Sequence, residues 1–187
     1  MNGALAFAIE CPDYSVHRLV PEDTESLQEL FIKCADYALI VTGEAVSPAA
    51  AEQTFKLIPA GKSPDDKFVF GIVDRWKSIV GVLEGMRNYP EDDAWWIGLL
   101  MLAPEVRRQG IGRTILDGFS KYVRSCNGSA IMLGVVEDNR VAYSFWRAVG
   151  FEVVRKTEPH RYGKKTQAVY IMRRAVEKDE TSTPASG

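Results

Sequence analysis

The hydrophobic pattern turns on one stretch, Trp95–Leu102 (WWIGLLML), which carries no charge at either parity. A half-exposed strand alternates, so this run predicts a strand covered on both sides. Ala103-Pro104 ends it, because proline cannot continue a central ladder. Beyond it, Ile115, Leu116, Phe119, Tyr122 and Val123 fall on one face of a helix over Arg113–Arg124. Ala130–Val136 (AIMLGVV) predicts a second buried strand. A further helix follows, with Asn139 suited to its N-cap, Phe145 and Val149 on its core side and Gly150 at its C-terminal cap.

Upstream of the central run, Ser15–Val20 predicts a short strand. Pro21-Glu22-Asp23 opens a helix on which Leu27, Leu30, Phe31 and Cys34 recur at helical spacing until Gly43. Ser47-Pro48 starts another helix through about Leu57, and Pro59, Gly61 and Pro64 mark a loop. Lys67–Asp74 and Ser78–Arg87 read as an antiparallel hairpin joined through Arg75-Trp76-Lys77. After the central segment come a strand at Glu152–Lys156, a polar loop at Glu158–Lys165 and a last strand at Gln167–Arg174. This order predicts an α/β protein with a mixed sheet and helices on both faces.

One domain, residues 15–176, is the natural size for 187 residues of which 46% are hydrophobic. Residues 1–14 read as an arm packed on the domain or on the partner subunit of a homodimer, or as disordered chain. Residues 177–187, charged and then rich in Ser, Thr, Pro and Gly, read as a disordered tail. A net charge of −2 gives no basic footprint for nucleic acid, and no apolar run approaches a membrane span. Cys11, Cys34 and Cys126 are odd in number and lack metal-type spacing, which points to free thiols in a reducing cytoplasm. His17 and His160 are too far apart in sequence to suggest a local metal clip, so no metal is expected.

Between the central strand and its helix lies Arg107-Arg108-Gln109-Gly110-Ile111-Gly112. A helix start offers unpaired N–H groups and the positive end of a dipole, which suits a phosphate. Glycines let backbone approach an anion closely, and arginines add countercharge. A dinucleotide fingerprint would need Gly or Ala at 115, where Ile stands, and the Gly-Lys-Ser/Thr ending of a P-loop is missing. What remains is R-x-x-G-x-G after a strand ending Leu-x-Pro. This resembles the pyrophosphate loop of the GNAT superfamily, the acyl-CoA-dependent N-acyltransferases. Asn139–Phe151 reads N-x-x-A-x-x-F-W-x-x-x-G-F and is similar to the GNAT segment beside the pantetheine arm.

The resemblance covers Trp95–Phe151. It implies a GNAT-like fold, a mostly antiparallel sheet whose fourth and fifth strands splay apart. It also implies acetyl-CoA as co-substrate and transfer to a small-molecule or peptide amine. Under it, amides from Gln109 to Arg113, including Ile111, hold pyrophosphate, with Arg107, Arg108 and Arg113 supplying charge. The backbone of Met101 and Leu102 meets the pantetheine, and the Leu102 N–H polarises the thioester. Asn139 serves as N-cap or cofactor contact, and Tyr143 and Trp146 lie near the cofactor arm. Asp36, Tyr37 and Glu44 are placed for amine recognition.

Two departures concern the chemistry. Gly98 stands where many GNAT enzymes have a glutamate base, and Trp146 where many have a tyrosine acid. Glu84, a carboxylate inside an otherwise apolar strand, is the substitute base. The reading from these residues is an N-acetyltransferase working by direct amine attack. The alternative is an acyl-CoA-binding sensor without turnover.

Overall fold

The computed structural model describes residues 7–177. The parts of the arm and tail at 1–6 and 178–187 lie outside the described residues. Among the described residues, nine strands and five α-helices follow in the order β1 (Tyr14–Arg18), α1 (Thr24–Lys33), α2 (Ala35–Val41), α3 (Ala50–Lys56), β2 (Lys67–Asp74), β3 (Ile79–Arg87) and β4 (Ala94–Leu102). Then come α4 (Ile111–Ser125), β5 (Ala130–Val136), α5 (Arg140–Ala148), β6 (Glu152–Lys156), β7 (His160–Tyr162), β8 (Lys165–Gln167) and β9 (Val169–Ala175). Seven strands form one sheet in the order β1-β2-β3-β4-β5-β9-β6, while β7 and β8 make a separate hairpin. Only the β4–β5 pair is parallel among these ladders.

α4 covers one face through an aromatic cluster. Phe119 packs on Phe68 and Trp95 at ring-centroid distances of 5.3 and 5.9 Å. Phe7, from the N-terminal arm, closes this cluster against Phe70 at 5.0 Å and Phe119 at 5.6 Å. Lys67, of opposite parity to Phe68, turns to the other face with Glu84, beneath α2.

Three local expectations change. The helix expected from Pro21 to Gly43 is broken at Cys34 (φ −98°, ψ 30°) into α1 and α2. Its apolar spacing was continuous, but Cys34 is drawn onto the end of β4, where its thiol donates to the Leu102 carbonyl at 3.3 Å. The polar loop at 158–165 pairs as β7 and β8, with His160 opposite Gln167. Finally, β4 is not covered on both sides throughout. Gly98 is exposed and Leu100 and Leu102 are half-buried, because the sheet opens beside them.

The opening has a visible cause. β4 and β5 pair only from Ala94↔Ala130 to Ile97↔Leu133. In the β3–β4 ladder Glu84 opposes Leu99 while Gly85 opposes Ile97, so Gly98 is an extra residue on β4. Such a bulge bends its strand and ends pairing on the far side. β4 therefore follows β3 to Leu102 and leaves β5.

Candidate active site

The gap between β4 and β5 is lined by groups whose orientation follows from the ladder. The Ala103 N–H donates to the Val80 carbonyl at 2.8 Å, and Leu102 pairs with Gly81. Antiparallel pairs alternate, so Met101 and Leu99 give their backbone groups to β3, while Leu100 and Leu102 turn theirs to the gap. The sequence reading had Met101 and Leu102 facing the cofactor arm. The register turns the Met101 backbone to β3 and that of Leu100 to the gap, because backbone direction reverses at every residue. The gap itself is a cleft of about 100 Å³, bordered by Tyr37, Gly98, Leu100, Val136, Asn139 and Trp146.

The loop leading into α4 is built to present amides. Arg108 (φ 60°) and Gly110 (φ 82°) adopt the left-handed region, and Gly110 is the N-cap of α4. For Arg108 that conformation is uncommon, whereas Gly110 takes it without steric cost. Among the described residues, the N–H groups of Arg108, Gln109, Gly110, Ile111 and Gly112 have no hydrogen-bond acceptor. The first intrahelical-type bonds are those of Arg113 and Thr114 back to the Gly110 carbonyl. A Cβ on Gly112 would lie 3.2 Å from the Phe145 ring of α5. The α4 start thus sits against α5, next to the cleft. This cradle fits a diphosphate: it offers adjacent amides, a helix dipole and no bulk at 112.

The arginines are less available than their charges suggest. Arg107 donates through Nε to the Leu102 carbonyl at 2.7 Å and grips Asp36 with both terminal nitrogens. Its hydrogen bond holds the Asp36 carboxyl below the usual carboxylate range. Sequence reading had separated these two residues, one for phosphate and one for the amine; the fold makes them partners. Arg113 donates to the Ala148 carbonyl at the end of α5, at 3.2 Å. Arg108 and Gln109 are exposed, and the Gln109 side chain returns to the Glu105 carbonyl at 2.8 Å.

On α5, the Asn139 Oδ1 accepts the Ala142 N–H at 3.1 Å, so its N-cap role is realised. The Gly150 and Phe151 N–H groups return to the Arg147 and Trp146 carbonyls, with Gly150 at φ 90°, a glycine-ended Schellman cap. Trp146 is buried against Phe145 and Phe151, each with ring centroids 5.0 Å away, and borders the cleft. Tyr143 instead packs on Tyr170 at 4.9 Å.

Glu84 reaches the cleft from the neighbouring strand. Its Oε2 lies 2.6 Å from where a Cβ on Gly98 would stand, so its carboxylate fills the space a side chain at 98 would take. Lys67 is bound to the same carboxylate through Oε1 and also donates to the Leu57 carbonyl at 2.9 Å. Burial pushes the Glu84 carboxyl up, and Lys67 pulls it back down. Tyr37 faces this pair, and its phenol is pushed up, first by burial and then by the Glu84 charge. Lys67 escaped the sequence reading. The usable signal was opposite charge on one face of a predicted hairpin, within diagonal reach. Glu44 lies apart from this group, beside Gly163 in the β7–β8 turn. Among the described residues no cluster of His, Cys, Asp or Glu has the makings of a metal site, and no helix is long and apolar enough to cross a membrane.

No curated protein matches the chain by sequence. Solved structures do match its fold. An acetyltransferase from Thermus thermophilus is 22% identical with TM-score 0.68, over 87% of this chain and 97% of that one. The ribosomal-protein-S5-alanine acetyltransferase of Vibrio fischeri is 17% identical with TM-score 0.72, over 92% and 98%. The spermidine N-acetyltransferase of Vibrio cholerae, solved with CoA and spermine, is 17% identical with TM-score 0.69, over 90% and 98%. At these identities the likeness is one of fold. A family model adds the decisive match, over residues 24–151, which include the bulged strand, the amide cradle and α5. The chain belongs to the acetyltransferase (GNAT) family.

Proposed function

We propose that the protein is an acetyl-CoA-dependent N-acetyltransferase that acts on a primary amine by direct attack on the thioester. The observation that carries this reading is the continuity of the site. The free amides of 108–112 lead past Gly112, where a Cβ would stand 3.2 Å from Phe145 and 3.9 Å from the Leu102 side chain, to a cleft bordered by Leu100. Acetyl-CoA supplies an activated acyl group and a thiol leaving group. The cradle and Trp146 hold and flank it, and Asn139 borders its path. The Leu102 N–H points where negative charge develops on the thioester oxygen, and one such donor contributes ~3 kcal/mol.

Glu84 handles the proton. The acceptor, whose ammonium form has a pKa of about 10, attacks as the neutral amine after giving its first proton to solvent, and Glu84 takes the second. The nitrogen then forms its bond to the carbonyl carbon as the carbon–sulfur bond breaks, and the proton leaves nitrogen for Glu84, directly or through water. A thiolate whose conjugate acid has pKa of about 8.5 departs without a strong acid, which suits a site with tryptophan at 146. The test is thiol release from acetyl-CoA with a panel of amines that includes polyamines and lysine peptides. CoA binding without turnover across the panel would favour the sensor instead.

The cradle makes its own prediction. Gly112→Val presses a branched side chain on the Phe145 ring, 3.2 Å from the first added carbon, and narrows the approach to the amides. Calorimetry is expected to show CoA affinity lowered by about tenfold or more, one RT ln 10 step of about 1.4 kcal/mol, with the melting temperature little changed. Arg113→Ala is expected to cost less, since that side chain already serves the Ala148 carbonyl. Full affinity in Gly112→Val would place the phosphate elsewhere.

A further inference from the structure

Three parts of the site meet at the last carbonyl of β4. Leu102 turns its backbone to the gap, but the β4–β5 ladder ends at Ile97↔Leu133. Among the described residues β5 therefore offers the Leu102 carbonyl no partner. Two side chains supply donors instead. The Arg107 Nε donates at 2.7 Å and the Cys34 thiol at 3.3 Å, and a carbonyl oxygen can accept both. Burial pushes the Cys34 thiol up, which keeps it the S–H donor this contact needs. The other end of the same peptide is held too, since the Ala103 N–H donates to the Val80 carbonyl at 2.8 Å.

Arg107 carries the link outward. Both of its terminal nitrogens bind the Asp36 carboxylate, Nη2 at 3.1 Å from Oδ1, so each of its three nitrogens is engaged. Asp36 stands in the first turn of α2, the helix that brings Tyr37 and Val41 to the cleft. The same arginine directly precedes the unpaired amides of 108–112. One planar fork thus joins the end of β4, the start of α2 and the start of the cradle. The Lys33–Glu105 pair at 3.7 Å adds a looser tie across this junction.

We infer that Arg107 is a positioning residue rather than a phosphate contact: it fixes the end of β4 so that the Leu102 N–H stays aimed at the thioester carbonyl. This rests on the transfer reading above. The Leu102 N–H and carbonyl flank one α-carbon. The peptide after that carbon is held at its carbonyl and at its N–H, and Met101 before it is paired to β3. The Leu102 N–H is left little freedom to turn. A donor fixed before charge develops costs no reorganisation during the reaction. A lysine ammonium cannot repeat the arrangement, because it lacks the fork that reaches Leu102 and Asp36 together. The ion pair itself is open to solvent, its side chains being 33% and 52% exposed, and such pairs contribute little to overall stability. Its loss acts on position first.

Arg107→Lys separates the two roles, since it keeps the charge and removes the fork. Its kcat for thiol release is expected to fall by about tenfold or more, with CoA affinity within about threefold of the parent and the amine KM little changed. The melting temperature stays close to that of the parent. Asp36→Asn loosens the fork and is expected to lower kcat without tightening CoA. Retained kcat in Arg107→Lys would overturn the inference, and so would tighter CoA binding once Asp36→Asn releases the guanidinium. Two readouts need no turnover. The Leu102 amide resonance is expected to move further with acetyl-CoA than with CoA in the parent, and to lose most of that difference in Arg107→Lys. Hydrogen exchange at the Ala103 N–H is expected to quicken in ligand-free Arg107→Lys; unchanged exchange would overturn the inference whatever the protein binds. Failure of the parent to bind CoA or release thiol, with exchange quickened in the variant, would count against the transferase reading instead.

Discussion

Glu84→Gln lowers the amine-dependent rate by about 10²-fold, while CoA affinity stays close to that of the parent protein. The expectation follows from position. Glu84 pairs with Lys67, not with any residue of the amide cradle, and its Oε2 occupies the space above Gly98. The substitution also leaves the Lys67 ammonium without its countercharge in a site where Lys67 is 7% exposed. Breaking one side of a buried pair is destabilising, so the rate must be taken per folded molecule. The double variant Lys67→Met, Glu84→Gln removes the mismatch and is expected to remain slow. A rate within a few-fold of the parent in both would return Glu84 to a structural ion pair.

The pH profile carries the same argument with a definite sign. Glu84 accepts a proton only when ionised, so activity rises with pH through its pKa. Burial raises that pKa and Lys67 lowers it. Lys67→Met removes the lowering influence, and the rising limb is expected to move to higher pH. In Glu84→Gln that limb disappears, leaving only the titration of the acceptor amine. Kinetics of the three proteins over a common pH range read the difference.

The largest expected loss of stability belongs to Phe7→Ala, at about 3–5 kcal/mol. Phe7 is 6% exposed and stands within 5.8 Å of three rings, those of Phe70, Phe119 and Tyr122. Its removal opens a cavity between α4 and the sheet rather than trimming a surface arm. The neighbouring contacts point the same way. The Ala8 carbonyl occupies the space a Cβ on Gly118 would take, so the arm runs over α4 where the helix lacks a side chain. Glu10 then pairs with Lys121 at 2.6 Å, an exposed contact of little energetic weight. Chemical denaturation is expected to show the drop in midpoint, and Lys121→Ala to show almost none. A loss below about 1 kcal/mol in Phe7→Ala would mean the aromatic cluster closes without the arm.

Much of this protein was legible in the linear pattern. The charge-free run at Trp95–Leu102 forms a strand, though one left open past Ile97, and the 3.6-residue periodicity after Gly112 and the capped helix from Asn139 to Gly150 form as the pattern predicts, because burial and capping act over a few neighbouring residues. The position of the unpaired amides was legible to within one residue, because glycine spacing and a helix start are local properties; they run from 108 to 112 rather than 109 to 113, since the Arg113 N–H returns to the Gly110 carbonyl. What only the tertiary structure decided are the relations across the sheet. The bulge at Gly98 depends on two ladders competing for one strand, and it selects Leu100 over Met101 as the backbone facing the gap. The pairing of Arg107 with Asp36 depends on α2 packing over the end of β4, and it gives each a partner that its own segment does not reveal. Lys67 beside Glu84, and Gln167 beneath the end of α2, join residues 17 and 126 positions apart. A sequence carries the propensity of every segment, but whether a charge is free or paired depends on which segments fold against each other.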